Sequence, residues 1–256
     1  MSDESQIDRE ARFDRIEDAL FDHLRRPIAT SIVVMTMVII HLGLGWIMMS
    51  EGDFEWYTLL ISQRDLDLLS QAGAMIQDLV NDGQVYRVIS CIFLHGDGLH
   101  LFLNAIALFA LGRLCEAVYG SNRFVLLLLI SGMCGATVSW LGGHASSVGA
   151  SGGIFGLMGA CVVFGWKYRQ QLPPPISTFF TTRLLPWVGL NLIIGIVVPF
   201  IDNLAHCGGL LAGALVALVF GNNVIPDAQS TPLWRRLTPW LSAVLLTLAV
   251  IGVATT

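Results

Sequence analysis

Charge is scarce in this chain: Asp, Glu, Lys and Arg make up 13% of its 256 residues, whereas 54% are hydrophobic. A soluble domain carries roughly 25% charged residues, so a mean hydropathy of +0.68 excludes an ordinary water-solvated globule and makes lipid the main solvent. The charge that is present forms no block. A formal net charge of −5 is spread along the chain, with no basic stretch for nucleic acid and no acidic tail. Five cysteines (Cys91, Cys115, Cys134, Cys161 and Cys207) show no CxxC or zinc-ligand spacing, and most sit in apolar runs, where cysteine is a small buried hydrophobe. An HExxH helix is absent, which excludes the common zinc-hydrolase site, and no pair of aspartates lies within the apolar runs, which excludes an aspartyl mechanism. A three-histidine site from His95, His100 and His206 is disfavoured, because the first two are five apart and do not share a helical face. No metal or other cofactor is expected. No long internal repeat is evident, and residues 1–26 lack the apolar core of a cleavable signal peptide.

What the chain does have is apolar length. A helix needs about 20 mostly apolar residues to cross a bilayer, and seven runs come close: 27–49, 99–119, 123–142, 149–167, 184–200, 203–221 and 238–255. The fold class is therefore an all-α polytopic membrane bundle. Residues 1–26 form a charged segment in which Ile16, Leu20 and Leu24 recur every fourth residue, the mark of an amphipathic helix on the membrane surface or under the bundle. Residues 27–221 hold six spans, and 222–256 a linker and a seventh. With the amino terminus inside, Arg25, Arg26, Arg113, Arg123, Lys167, Arg169, Arg183, Arg235 and Arg236 all fall at inner ends, and only Arg64 and Arg87 fall outside. That asymmetry satisfies the positive-inside rule and puts the carboxyl terminus outside. The long loop 50–98 is then external. Its Trp56, Leu59, Leu60, Leu66, Leu68, Leu69, Ala74, Met75 and Val80, scattered among Glu, Asp and Gln, suit segments lying at the interface. Phe200 to Asn203 joins the fifth and sixth spans by a tight turn, and Pro173–Pro175 and Pro226–Pro232 mark inner loops.

Polar residues inside such spans are costly and are functional candidates by default. Gly149-Ala150-Ser151-Gly152-Gly153-Ile154-Phe155-Gly156 opens the fourth run with an uncrowded serine hydroxyl. Taken alone, it also reads as a small-residue packing seam. However, alternating topology brings three other polar residues to the same shallow outer layer: His206 near the start of the sixth run, and His100 and Asn104 in the second. His100 and Asn104 are i and i+4, hence on one face, as are Ser151 and Phe155. Gly152, Gly156 and Gly159 on the fourth run and Gly209 and Gly213 on the sixth clear two faces for close approach, which would bring His206 to Ser151. A serine needs a base to become a nucleophile, and histidine suits that task near neutral pH. Donors from His100, Asn104 and the Ser151 N–H would then stabilise an oxyanion. Asp202, four before His206, either orients the imidazole or caps the sixth helix; its residue type favours the cap. His41 and His144 are assigned structural roles, and His95 is expected to brace the external loop. Asn104 and His206 also have plain readings, as an interhelical and a carbonyl-directed hydrogen bond.

Together these motifs resemble the rhomboid family of intramembrane serine proteases. Gly149-Ala150-Ser151-Gly152 matches the family's GxSG, Ala205-His206-Cys207-Gly208-Gly209 its AHxGG, and His95, His100 and Asn104 its second-helix pattern. Tyr86-Arg87 is similar to the family's Trp-Arg pair, with Tyr in place of Trp. The resemblance covers roughly 27–221 and implies a six-plus-one form. It implies Ser151 as nucleophile and His206 as base, with an oxyanion hole of His100, Asn104 and the Ser151 N–H. Phe155 would pack on His206, and His95, Arg87, Gly149 and Gly152 would support the site. Implied partners are single-span membrane proteins, cut near the outer face, and the lipid bilayer. The fifth helix and the loop before the sixth would gate their entry. A bacterial inner membrane is the expected location. Rival readings are a non-catalytic rhomboid-like binder of transmembrane segments and a proton-relaying transporter; the shallow layer of polar residues disfavours the latter, whose site belongs near the midplane.

Overall fold

The computed structural model of the chain describes residues 3–50, 66–198, 201–225 and 232–254. In chain order its helices are α1 (Asp3–Leu24), α2 (Ile28–Ser50), α3 (Leu66–Gln71), α4 (Gln77–Asn81), α5 (Arg87–Ser90), α6 (Gly98–Tyr119), α7 (Ser121–Leu141), α8 (Ser151–Lys167), α9 (Pro174–Thr178), α10 (Leu185–Val197), α11 (Asn203–Val219) and α12 (Pro232–Ala254). Two strands of two residues each, β1 (Met75–Ile76) and β2 (Ser146–Ser147), pair antiparallel. The seven apolar runs correspond to α2, α6, α7, α8, α10, α11 and α12, so the chain is a helical polytopic membrane protein. Trp56, Leu59, Leu60, Arg64, Phe200 and Pro226 lie outside the described residues.

Each start and stop has a local cause. Pro27, lacking an N–H, precedes the first residue of α2, where that donor is not needed. Asp97 and Asp202 cap α6 and α11, each accepting a hydrogen bond from the backbone N–H three residues on. Gly120 alone joins α6 to α7, with φ at +81°, a conformation that an L side chain resists. A Cβ there would also lie 2.5 Å from Asn223 Nδ2.

The bundle is layered by burial. α8 is its axis: Gly152 to Cys161 are buried without interruption. With 17 residues, at 1.5 Å per residue, it is shorter than a full span. α7 and α11 flank it. α10 is the opposite case. Only Val188 and Gly195 on it are buried, whereas Trp187, Ile193, Ile196 and Val197 are exposed, as expected of a face turned to lipid tails. α12 runs beside α7 and reaches α5, and its Ser242 hydroxyl donates to Asn122 O at 2.9 Å. α1, a helix of 22 residues, packs under the bundle against α6, with Ile16 and Leu20 buried. Arg12 on it donates to Gln171 Oε1 at 3.0 Å.

Close backbone approach sets the α8–α11 contact. A Cβ on Gly209 would lie 1.9 Å from Gly152 O, one on Gly213 2.0 Å from Gly156 O, and one on Gly159 2.3 Å from Leu210 O. Without side chains between them the two helices lie backbone to backbone, the packing that small residues permit in lipid.

A buried carboxylate closes the other end. Glu116 of α6 accepts from Ala29 N (2.9 Å), Thr30 N (2.9 Å), Thr30 Oγ1 (2.7 Å) and Ser121 Oγ (2.7 Å). It thereby caps α2 from a distance and satisfies donors that lipid cannot. Glu116→Ala is expected to lower stability by about 3 kcal/mol or more, since hydrogen bonds to a charged group contribute about 1.5–3 kcal/mol each. Glu116→Gln, which keeps one acceptor oxygen, should recover part of this. Thermal unfolding in detergent measures both; an unchanged transition for Glu116→Ala would contradict the capping role.

Candidate active site

Four segments meet at the start of α8. Gly149, two residues before Ser151, adopts φ +116° and donates its N–H to Cys91 O at 2.9 Å. This turn presents Gly149 to α6. A Cβ on Gly149 would lie 2.8 Å from His100 Nε2 and 3.7 Å from Asn104 Nδ2, so both side chains lie against the backbone that leads into Ser151. Only glycine fits there, for two reasons: the φ value and the imidazole. Asp97 sets the register of α6 by accepting from His100 N at 2.7 Å. One turn on, the buried Asn104 donates through Nδ2 to His100 O at 3.0 Å. An amide nitrogen carries two hydrogens, so the second remains available on the side of Gly149.

The first backbone hydrogen bond of α8 runs from Ile154 N to Ala150 O, at 2.9 Å. The N–H groups of Ser151, Gly152 and Gly153 are thus the open donors of a helix start, where the dipole also favours negative charge. Ser151 itself is half-buried, and its hydroxyl has no hydrogen-bond partner among the described residues.

His206 comes from the other side. Its ring stacks on Phe155, centroids 4.2 Å apart and planes at 14°. Phe155 lies one turn after Ser151, so the imidazole faces the row that carries the serine. The residues beside each of them are also in contact: a Cβ on Gly152 would sit 3.3 Å from Ala205 O. His206 is buried, and its Nδ1 has no partner among the described residues.

His95 and Arg87 differ in how near they lie to these groups. His95 is buried and edge-on to His100, centroids 5.1 Å apart at 72°. Burial, reinforced by His100 and His41, pushes its pKa well below the ordinary histidine range. Arg87 is not at the site. It is buried in the segment between α2 and α6, where it donates to Ser70 O (2.6 Å), Ala74 O (2.9 Å) and Gln84 Oε1 (2.7 Å), with the guanidinium over the Tyr86 ring. Those bonds shape the segment that becomes β1, and β1 pairs with β2 (Met75 with Ser147, Ile76 with Ser146) just before Ser151. Arg87 therefore reaches the site only through the strand pair.

Asp202 caps α11, accepting from Ala205 N at 2.9 Å, and makes no side-chain hydrogen bond to His206. Its second oxygen accepts from two hydroxyls that sequence reasoning missed: Ser139 of α7 and Ser147 of β2, the latter at 2.7 Å. Neither serine stands in a motif, and the partners are 63 and 55 residues apart.

The Rhomboid domain family model matches residues 82–223, which include every segment of this site. RHOMBOID-like protein 5 of Arabidopsis thaliana is 40% identical over 157 residues, covering 59% of this chain and 49% of that protein. Rhomboid protease GluP of Bacillus subtilis (strain 168) is 35% identical over 180 residues, covering 70% and 33%. Rhomboid-like protease 5 of Toxoplasma gondii is 32% identical over 151 residues, covering 58% and 18%. The chain thus spans half or less of the length of these relatives.

Proposed function

Because the chain belongs to the rhomboid family, we propose that it is an intramembrane serine endopeptidase in which Ser151 is the nucleophile and His206 its base. One observation carries the reading: His100 and Asn104 close on Gly149 from one side of the α8 start, while His206 lies on Phe155 from the other. A serine hydroxyl, an imidazole and several aimed N–H donors around one point are the parts acyl transfer requires. The similarity to proteins named rhomboid proteases supports the same reaction class.

Ser151 Oγ attacks the scissile carbonyl carbon as its proton passes to His206. The resulting oxyanion is held by the Ser151 N–H, the His100 ring and the Asn104 amide. Collapse breaks the C–N bond, and the leaving amine takes the proton from His206. Water, deprotonated by His206, then hydrolyses the acyl-enzyme. Phe155 fixes the plane of the imidazole. Substrates are single-span membrane proteins, since a site at the start of a helix shorter than the bilayer lies below the surface and is reached from the side. The scissile segment has to leave its own helix first, because helical carbonyls are already hydrogen-bonded.

In this reading residues 1–26 face the cytoplasm, 27–221 form the catalytic core with loop 50–98 outside, and 222–256 add a linker and a seventh span ending outside. The distribution of Lys and Arg supports that orientation. The membrane is a bacterial inner membrane.

A fluorophosphonate, which traps activated serines, tests the proposal without a known substrate. Detergent-solubilised protein should carry the adduct on the peptide containing Ser151, and Ser151→Ala and His206→Ala should carry none. Undiminished labelling of Ser151→Ala places the nucleophile elsewhere. No labelling, with no cleavage of single-span reporters, favours a non-catalytic binder of transmembrane segments. Within the oxyanion hole, Asn104→Ala is expected to lower kcat by about 10²–10³-fold with little change in KM. An unchanged kcat would remove Asn104 from the hole.

A further inference from the structure

We infer that Asp202 is the positioning residue that sets the distance between nucleophile and base, by anchoring the segments that carry both to a single carboxylate. The inference rests on the protease reading. One oxygen of Asp202, Oδ1, holds the first turn of α11 through Ala205 N at 2.9 Å. The other, Oδ2, accepts from Ser139 at the end of α7 and from Ser147 of β2 at 2.7 Å.

The spacing makes this arrangement consequential. Ser147 stands four residues before Ser151, and Asp202 four before His206. Both connections are short and stiff. From Asp202 to His206 the path is one helical turn, closed by His206 N to Asp202 O at 3.1 Å. From Ser147 to Ser151 it passes Gly149, which is pinned to Cys91 O, and its start is paired with β1. The carboxylate is thus a common origin: Ser151 lies four residues along the chain from its partner Ser147, and His206 one helical turn from Asp202 itself. Ser139 ties that origin to α7, whose Gly135 also packs on α11: a Cβ there would lie 2.5 Å from Ala205 O.

The carboxylate can do this because both of its oxygens accept, and its three donors come from three elements: Ser139 of α7, Ser147 of β2 and Ala205 N of α11. His144, a half-buried residue, approaches Oδ1 at 3.6 Å from the loop between α7 and β2. Asp202 does not touch the reacting atoms. It acts through geometry, to which a general base is sensitive, since a displacement of about 1 Å can cost about 10²-fold in rate.

The test compares Asp202→Ala, Asp202→Asn and Ser147→Ala with the parent, each in detergent, by fluorophosphonate labelling rate and by kcat and KM on a single-span reporter. Asp202→Ala is expected to lose about 100-fold in kcat and in labelling rate at nearly unchanged KM. Asp202→Asn should recover most of this, because the amide oxygen can still cap α11 and the amide nitrogen can still bridge the two hydroxyls. Ser147→Ala leaves the cap intact and releases only the loop; it should lose about 10-fold in kcat, and less than additively when combined with Asp202→Ala. A purely structural cap would instead lower the yield of folded protein and leave kcat per labelled site unchanged. A parent that labels and cleaves while Asp202→Ala keeps both rates overturns this inference alone. If Asp202→Ala does not fold, a parental kcat in Ser147→Ala overturns it equally. A parent that neither labels nor cleaves overturns the protease reading and this inference with it.

Discussion

Removal of the His206 imidazole is expected to lower reporter cleavage by about 10⁴-fold or more, and removal of the Ser151 hydroxyl by at least as much, because members of a catalytic unit act together. The two losses should not add. His206→Ala with Ser151→Ala is expected to be no slower than Ser151→Ala alone, since an imidazole without a nucleophile to activate contributes nothing to attack. Neither change should unfold the protein. Ser151 is only half-buried, and the stack of His206 on Phe155 is one contact among many on α11. The measurement is initial cleavage rate of a single-span reporter in liposomes, with unfolding followed in parallel. If the double variant is slower than either single one by the product of their effects, the residues do not form a unit. If His206→Ala retains cleavage within tenfold of the parent, the base lies elsewhere.

The second large effect concerns a residue with no chemistry. Gly209→Ala adds one methyl group at a point 1.9 Å from Gly152 O and 2.7 Å from Gly152 C. The obstacle is backbone, so no rotamer change relieves it and α8 must move away from α11. The displacement opens the gap between the helices that carry Ser151 and His206, next to both. A loss of about 3 kcal/mol, the upper part of the usual overpacking range, should accompany a drop of about 100-fold in kcat. Gly189→Ala provides the contrast. On α10 an added Cβ there meets nothing within 4 Å, so the change should be neutral, or stabilising by up to about 1 kcal/mol through helix propensity. Thermal unfolding and kcat for the pair decide the matter. Equal behaviour of the two variants would mean that the close approach of α8 and α11 is not what sustains the site.

Physically, the legible features are those that one stretch of chain encodes by itself. The seven apolar runs correspond to seven helices because a spanning segment must satisfy its own backbone, and its hydropathy alone records that. Asp202 reads as a cap from its type and place, and it does accept from Ala205 N. The i,i+4 relation of Ser151 and Phe155 and the glycine faces of α8 and α11 are equally local, and both are present in the packing. The amphipathic period of Ile16, Leu20 and Leu24 marks α1, but only the fold shows it packed under the bundle.

Tertiary structure alone decided the connections. Nothing around Glu116 announces that its carboxylate caps α2 some 86 residues earlier, because a buried acid carries the same letter as an exposed one. The pairing of β1 with β2 rests on two residues from each strand, too few to leave an alternating pattern. Arg87 bonds to carbonyls, which every residue possesses, so its role in shaping the segment between α2 and α6 has no sequence partner to find. Ser139 and Ser147 are ordinary serines until the fold brings Asp202 to them. Period, cap and motif are written within single segments. The approach of His100 and Asn104 to Gly149, and of His206 to Phe155, arises between segments, where only the packed helices supply it.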